Sequence, residues 1–366
     1  MARLIIHFER FGPYHHARLK SAQKELSDWE VQGLEIAGSD ETYAWDDESS
    51  SDVIRVFEEG SYQDYSGMRI SREVTRKLDE LKPEAIAIAG YASPDARACL
   101  AWAEKNNARA ILMSETRECD APRNWVKEFF KSRLLRSVDG ALVGGESHLL
   151  YLAKLGLKNI QIGYNVVDNE NFKGALPKTI PPVLLASNRF IPRKNLKALL
   201  EAFMSAEIST KWSLCLLGDG DERESLEEIS GDFQTCAPWD SADKKPGIFL
   251  PGFQQYADLS KFYATASAFI HPALSEPWGL VINEAMASGL PILSSKNVGA
   301  AEELVDHREN GWKFDPTNFQ EIRIYLDTLY RADTEQLKSM GEASRRILEE
   351  RCPTSLFGSG LKKALS

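Results

Sequence analysis

The chain has no apolar run near the roughly 20 residues that cross a bilayer, so a membrane-spanning helix is not expected among its 366 residues. It has no excess of positive charge: the formal net charge is −10. Nucleic-acid binding rests on neutralising phosphates with Lys and Arg, so that balance argues against a nucleic-acid partner. It leaves at most peripheral membrane contact. Cysteine is sparse. Cys99, Cys119, Cys215, Cys236 and Cys352 are scattered, odd in number and without a C-x-x-C pair, which excludes a disulfide framework or zinc site as the organising feature. A Gly-x-Gly-x-x-Gly after a first strand is missing from both halves, which disfavours a nicotinamide dehydrogenase. No aspartate pair or histidine cluster suits Mg²⁺ or Mn²⁺, and no cofactor is expected. The opening residues, Met1 to Phe8, are too short for a secretory signal and run into Glu9 and Arg10. The expected address is the cytoplasm.

What is present reads as alternating strands and helices. Leu4–Phe8 is a buried strand, Glu9–Tyr14 its loop, and His15–Leu26 a helix. Residues 38 to 64 are strongly acidic and read as a solvated loop around a strand from Asp52 to Phe57. Helices are expected at Ser71–Leu81, Asp95–Asn106 and Trp125–Arg136, the last a basic helix read as a solvated face. Ala85–Ala89, Ala110–Met113 and Ala141–Val143 read as strands. Lys173–Pro182, with Pro177, Pro181 and Pro182, reads as a linker. A second alternating series follows, with strands at Pro182–Ser187, Trp212–Leu217, Gly247–Leu250, Ala268–Ile270 and Ile292–Ser294, and then a helical tail. The expected class is α/β, as two doubly wound Rossmann-like domains. They are placed at 1–176 and 177–353.

One stretch concentrates the chemistry. Ser275-Glu276-Pro277-Trp278-Gly279 has turn composition, and the residues from Gly279 to Ser288 read as a helix stopped by Gly289-Leu290-Pro291. Pro277 suits the helix entrance. Glu276 and Glu284 lie eight positions apart. Carboxylates accept strong hydrogen bonds from adjacent sugar hydroxyls, and a helix N-terminus favours an anion. A nucleotide sugar offers both features. By spacing alone, a chance pair on solvated faces is the better explanation. The apolar neighbours of Glu284 favour burial, and a buried carboxylate needs partners. Upstream, Arg189 and Lys194 follow a buried strand, where two cations suit a leaving diphosphate or form a plain basic loop. Gly12, after the first strand, permits close approach of a ligand or simply makes a turn.

In order, Asn188-Arg189 with Lys194-Asn195, Leu217-Gly218-Asp219-Gly220, Pro251-Gly252-Phe253, the Ser275–Pro291 block, and Gly299 with Glu303-Leu304-Val305 and Asn310-Gly311 resemble the retaining glycosyltransferase family 4. The resemblance covers most of residues 183 to 345. It implies a GT-B fold, with two Rossmann-like domains facing a cleft, the donor on the second and the acceptor on the first. It implies a last helix, 354–366, that returns to the first domain. The implied activity is metal-independent, retaining transfer of a hexose from a UDP- or GDP-linked sugar to a carbohydrate or glycolipid acceptor. Glu276 would hold the donor sugar, Glu284 the ribose, and Arg189 and Lys194 the diphosphate. Backbone at Trp278, Gly279 and Leu280 would fix sugar and phosphate, and Gly252 and Phe253 would lie near the base. The family often has a histidine after the strand ending at Met113. Here Ser114-Glu115 stands instead, so Glu115 or Arg117, or His15 or His16 from the first loop, would serve the acceptor side. Gly299-Ala300-Ala301-Glu302-Glu303 stands where Gly-Gly-x-Pro-Glu is common. The competing readings are a GT-B phosphorylase or sugar-phosphate synthase, and an inactive sugar-nucleotide-binding protein.

Overall fold

A computed structural model describes residues 1–39, 50–174, 178 and 181–366. The chain forms two compact units, Met1–Val167 with Thr354–Ser366, and Asp168–Pro353. The boundary expected at 176/177, much of the expected linker and the acidic residues 40–49 lie outside the described residues. The short helix Asn169–Phe172 belongs to the second unit, where the buried Phe172 ring meets Tyr263 edge-on at 5.5 Å.

In the first unit, the described strands are β1 (Ala2–Phe8), β2 (Trp29–Ser39), β3 (Val53–Ser61), β4 (Ala85–Ala89), β5 (Arg109–Ser114), β6 (Gly140–Val143) and β7 (Ile160–Ile162). They form a parallel sheet in the order β3-β2-β1-β4-β5-β6-β7. Ile5, Ile86, Ile88, Leu112 and Val143 are buried, as the near-continuous apolar runs of parallel strands require. The β2 strand is not evident in the sequence, because glycines at 33 and 38 and glutamates at 30 and 35 interrupt its apolar pattern. Glu35 is nevertheless buried, with its carboxylate accepting from Arg55 Nε at 2.8 Å and from the Phe11 amide at 2.8 Å. The last helix, Leu356–Ala364, packs in this unit: the Gly358 amide donates to Ser21 Oγ at 3.0 Å and Asn159 Nδ2 to the Ala364 carbonyl at 2.8 Å.

In the second unit, the described strands are β8 (Val183–Ser187), β9 (Ser213–Leu217), β10 (Ile248–Gly252), β11 (Ala268–His271), β12 (Ile292–Ser295) and β13 (Gly311–Phe314). The order is β10-β9-β8-β11-β12-β13, again parallel. The sheet order reverses beside β8: β9 lies on one side of it and β11 on the other. Loops leaving the carboxyl ends of strands at such a reversal are the usual ligand-binding position of doubly wound sheets. The loops that carry Arg189, Lys194 and Glu276 leave β8 and β11 there. Among the described residues, no helix is long and apolar enough to cross a membrane.

Candidate active site

The carboxylate of Glu276 is set by backbone on both sides. Chain leaving β11 is pinned where the Leu274 amide donates to the Arg193 carbonyl at 2.9 Å and Asn195 Nδ2 donates to the Pro272 carbonyl at 3.3 Å. Glu276 then forms an isolated parallel bridge with Val298. Its amide donates to the Asn297 carbonyl at 3.2 Å, and the Gly299 amide donates to the Glu276 carbonyl at 3.1 Å. Gly299 is required there, since a Cβ on it would lie 2.0 Å from the Pro277 carbonyl oxygen. The helix itself begins later than its composition suggested. It spans Leu280–Ala287 with Gly279 as its cap, so Pro277 lies outside it and Glu276 sits on the bridged segment before it. No side chain caps this N-terminus.

Around Glu276 the structure gathers three cationic or imidazole groups. Lys194 Nζ donates to Glu276 Oε2, with the two side chains 12% and 13% exposed. Arg193 Nη2 stands 3.9 Å and His271 Nε2 4.0 Å from the same oxygen. Burial holds the Lys194 ammonium below its usual pKa; the Glu276 charge works the other way, while Arg193 and Arg189 add to the lowering. Arg189 itself is exposed on the loop after β8. His271 is fully buried at the end of β11, and its pKa lies well below 6.5, chiefly through burial and then through Lys194 and Arg193. It is therefore neutral near pH 7. The sequence reading passed over both His271 and Arg193. The signal available was their position, one at a strand's carboxyl end and one beside Lys194.

Glu284 is completely buried, as its apolar neighbours indicated, and Tyr263 donates its hydroxyl to Oε2. Burial, then the Glu284 charge, raises the Tyr263 pKa well above 10, so the phenol stays protonated and a donor. Nothing at sequence level pointed to Tyr263, which lies on the separate helix Tyr256–Thr265. The Trp278 side chain turns inward, and its indole donates to Asn283 Oδ1 at 2.9 Å. Gly252 ends β10 with φ +84°, and the Phe253 ring beside it is 38% exposed.

The first-unit candidates divide differently. Gly12 caps the helix Pro13–Glu25, and its amide donates to His15 Nδ1 at 3.0 Å. His15 lies against the Phe8 ring at 4.0 Å, and burial, then Arg18, His16 and Arg10, keeps its pKa well below 6.5. Its imidazole is a neutral capping group that accepts through Nδ1. His16 packs on Phe11 at 5.4 Å. Glu115 is half-buried after β5, close enough to Tyr164 to oppose ionisation of that phenol, which burial in the first place pushes up to about 12. Arg117 is buried, and its guanidinium closes on Asp120 at 3.0 Å, tying down the turn Glu118–Asp120. Two buried arrangements escaped the sequence reading: His7 Nε2 lies 2.9 Å from Asp95 Oδ2, and the Arg18 guanidinium covers the Tyr164 ring at 4.4 Å.

Residues 167–347 match the family model of glycosyl transferases group 1. Among solved structures, Anabaena Alr3699/HepE in complex with UDP and glucose aligns over 100% of this chain and 99% of its own, with a TM-score of 0.72 and 16% identity. The chain has the GT-B fold. An uncharacterized glycosyltransferase of Haemophilus influenzae is 28% identical over 49% of this chain and 47% of its own length. The sucrose-phosphate synthase of Zea mays is 28% identical over 41% of this chain and 16% of its own. The chain thus matches less than half the length of these two relatives. The matched family segment spans nearly all of the second unit, which contains the Glu276, Lys194 and Glu284 arrangement.

Proposed function

We propose that this protein is a retaining glycosyltransferase that moves a hexose from a nucleotide sugar to a carbohydrate or glycolipid acceptor. The observation that carries the reading is the pairing of Glu276 with Lys194 beside the helix Leu280–Ala287, with Glu284 buried inside that helix against Tyr263. A carboxylate held by an ammonium can exchange that partner for two sugar hydroxyls, while the ammonium turns to phosphate. Lys194 and Arg189 then offset charge developing on the leaving diphosphate, aided by the helix N-terminus. Glu284 holds the ribose hydroxyls. In the transfer, the bond from the anomeric carbon to phosphate oxygen breaks and its electron pair leaves with the phosphate. The acceptor oxygen bonds the same face of that carbon, and its proton passes to the departing phosphate. The family-segment match and the UDP and glucose bound in Anabaena Alr3699/HepE support a UDP-sugar donor.

A second reading, a sugar-phosphate synthase, is favoured by the maize relative. It shares the donor chemistry and differs in taking a sugar phosphate as acceptor. The test common to both is a thermal-shift panel of UDP, GDP, ADP and their sugars. A ligand at about 100 times its Kd adds about 2.7 kcal/mol of stability. One nucleotide is expected to raise Tm clearly above the others, and no response to any of them overturns both readings. Assaying donor cleavage with free sugars and with sugar phosphates separates the two.

A further inference from the structure

The helix Trp125–Leu134 is turned inside out. It contains no buried residue. Its polar side faces the protein: Lys131 bonds Glu128 at 2.8 Å and the Tyr151 hydroxyl at 2.9 Å, Tyr151 donates to Glu128 at 2.7 Å, and Ser132 Oγ donates to the Leu155 carbonyl at 2.7 Å. Its aromatic side faces solvent, with Trp125 81%, Phe129 58% and Phe130 64% exposed. On a soluble surface the opposite orientation is the stable one, and a contiguous exposed apolar face marks an interaction site. The sequence reading of a solvated basic face accounted for the lysines and arginines but not for the aromatics.

Charge decides what covers this face. Lys127 and Arg133 are exposed on the helix, and Arg136 is exposed just beyond it. The helix's one acid, Glu128, is withdrawn into the Lys131–Tyr151 cluster. On a chain of net charge −10 this is a local reversal of sign. Aromatic side chains between cations on long flexible stems suit the interface of an anionic bilayer, where rings enter the headgroup region and cations meet lipid phosphates. We propose that Trp125, Phe129 and Phe130, with Lys127, Arg133 and Arg136, dock the first unit onto an anionic phospholipid surface. The proposal does not depend on the nucleotide-sugar reading.

The test is co-sedimentation of the full chain with vesicles containing phosphatidylglycerol and with vesicles of phosphatidylcholine alone, at low and high salt. Binding is expected to the first vesicles, to weaken with salt, and to fall by about tenfold or more in W125S/F129S/F130S and in K127E/R133E. Because every altered side chain is exposed, both variants are expected to keep the wild-type Tm and the wild-type response to nucleotides. The charge-reversal variant also tests docking without touching an aromatic ring. Failure of the wild type to bind phosphatidylglycerol vesicles overturns the proposal, as does undiminished binding by both variants. A wild-type dimer that the aromatic variant dissolves, without vesicle binding, assigns the face to a second copy and equally overturns it.

Discussion

The Lys194 ammonium donates to Glu276 Oε2 across 82 residues of sequence, joining the loop after β8 to the segment after β11. Each is the other's partner in a site that shields both from water, so removing either changes the one left behind. Glu276→Gln retains shape and an acceptor oxygen but loses the charge. It is expected to fold normally and to lower turnover by about 10²–10³-fold. Lys194→Ala leaves a nearly buried carboxylate without its ammonium, with an expected stability loss of about 1–3 kcal/mol besides lost turnover. The double variant should lose less than the sum of the two. Steady-state rates and denaturant melts check this, and near-normal turnover in Glu276→Gln removes its assigned role.

Glu284 and Tyr263 separate binding from folding. Tyr263→Phe removes one hydrogen-bond donor to a buried carboxylate, and the expected cost in stability is about 1–3 kcal/mol. Glu284→Ala is expected to weaken UDP binding by about 1.5–3 kcal/mol through loss of charged hydrogen bonds, with turnover at saturating donor much less affected. Calorimetric titration with UDP measures the first quantity. An unchanged affinity refutes the ribose role.

Two histidines give the fold an acid limit. His271 is held below its ordinary pKa by burial, Lys194 and Arg193, and His15 by burial and its cationic neighbours. The unfolded chain takes up protons on both below about pH 6.5, while the folded chain resists doing so. Their contribution is therefore complete above about pH 6.5 and declines as pH falls toward the folded values. Asp95 acts lower. Burial opposes its ionisation, but His7, Tyr62 and Ser93 outweigh it and bring the pKa to about 2. Its contribution is present above the unfolded carboxylate pKa of about 3.9 and is lost as pH falls through about 2. Tm is expected to drop between about pH 7 and 5, with a shallower slope in His271→Gln. An identical slope removes His271 as a cause.

The proposed transfer assigns the leaving diphosphate protein cations rather than a metal. Lys194 is at Glu276, and Arg193 and Arg189 are near enough to influence its ionisation. Turnover after EDTA treatment is expected to equal that of untreated enzyme, and Arg189→Ala to reduce it by about 10²-fold. Strict dependence on added Mg²⁺ or Mn²⁺ contradicts this assignment.

Much of the second unit was legible because each signal was local. Apolar runs marked β8, β9, β11 and β12, and the apolar neighbours of Glu284 indicated its burial. What escaped depended on partners distant in sequence. Tyr263 is a hydroxyl on another helix, and Trp278 turns inward because Asn283 receives its indole N–H. Arg117 follows a strand's carboxyl end, and its pairing with Asp120, only three residues on, is a contact that position alone did not show. The aromatic face at Trp125, Phe129 and Phe130 was hidden by its own composition. A periodic stripe reads the same whether it turns toward a core or toward solvent, and only the Glu128–Lys131–Tyr151 cluster fixes its direction.

Gly279 offers the sharpest test of whether the backbone positions the Glu276 carboxylate. Its φ of +97° is strained for any residue with a Cβ, and that atom would lie 3.1 Å from Val298 Cγ1, 3.3 Å from Glu276 Cγ and 3.5 Å from His271 Nε2. An alanine therefore presses on the Glu276 side chain and on Val298, the bridge partner that holds Glu276 in place, and meets His271 only in ordinary contact. Gly279→Ala is expected to cost about 1–3 kcal/mol of stability and to lower kcat more than it weakens UDP binding, because Glu284 lies deeper in the helix, against Tyr263 of the separate helix Tyr256–Thr265. In a Glu276→Gln background the same substitution should lower kcat little further, since the group it displaces is already inactive. A full, independent loss in that background shows that Gly279 acts through the helix N-terminus instead of through Glu276.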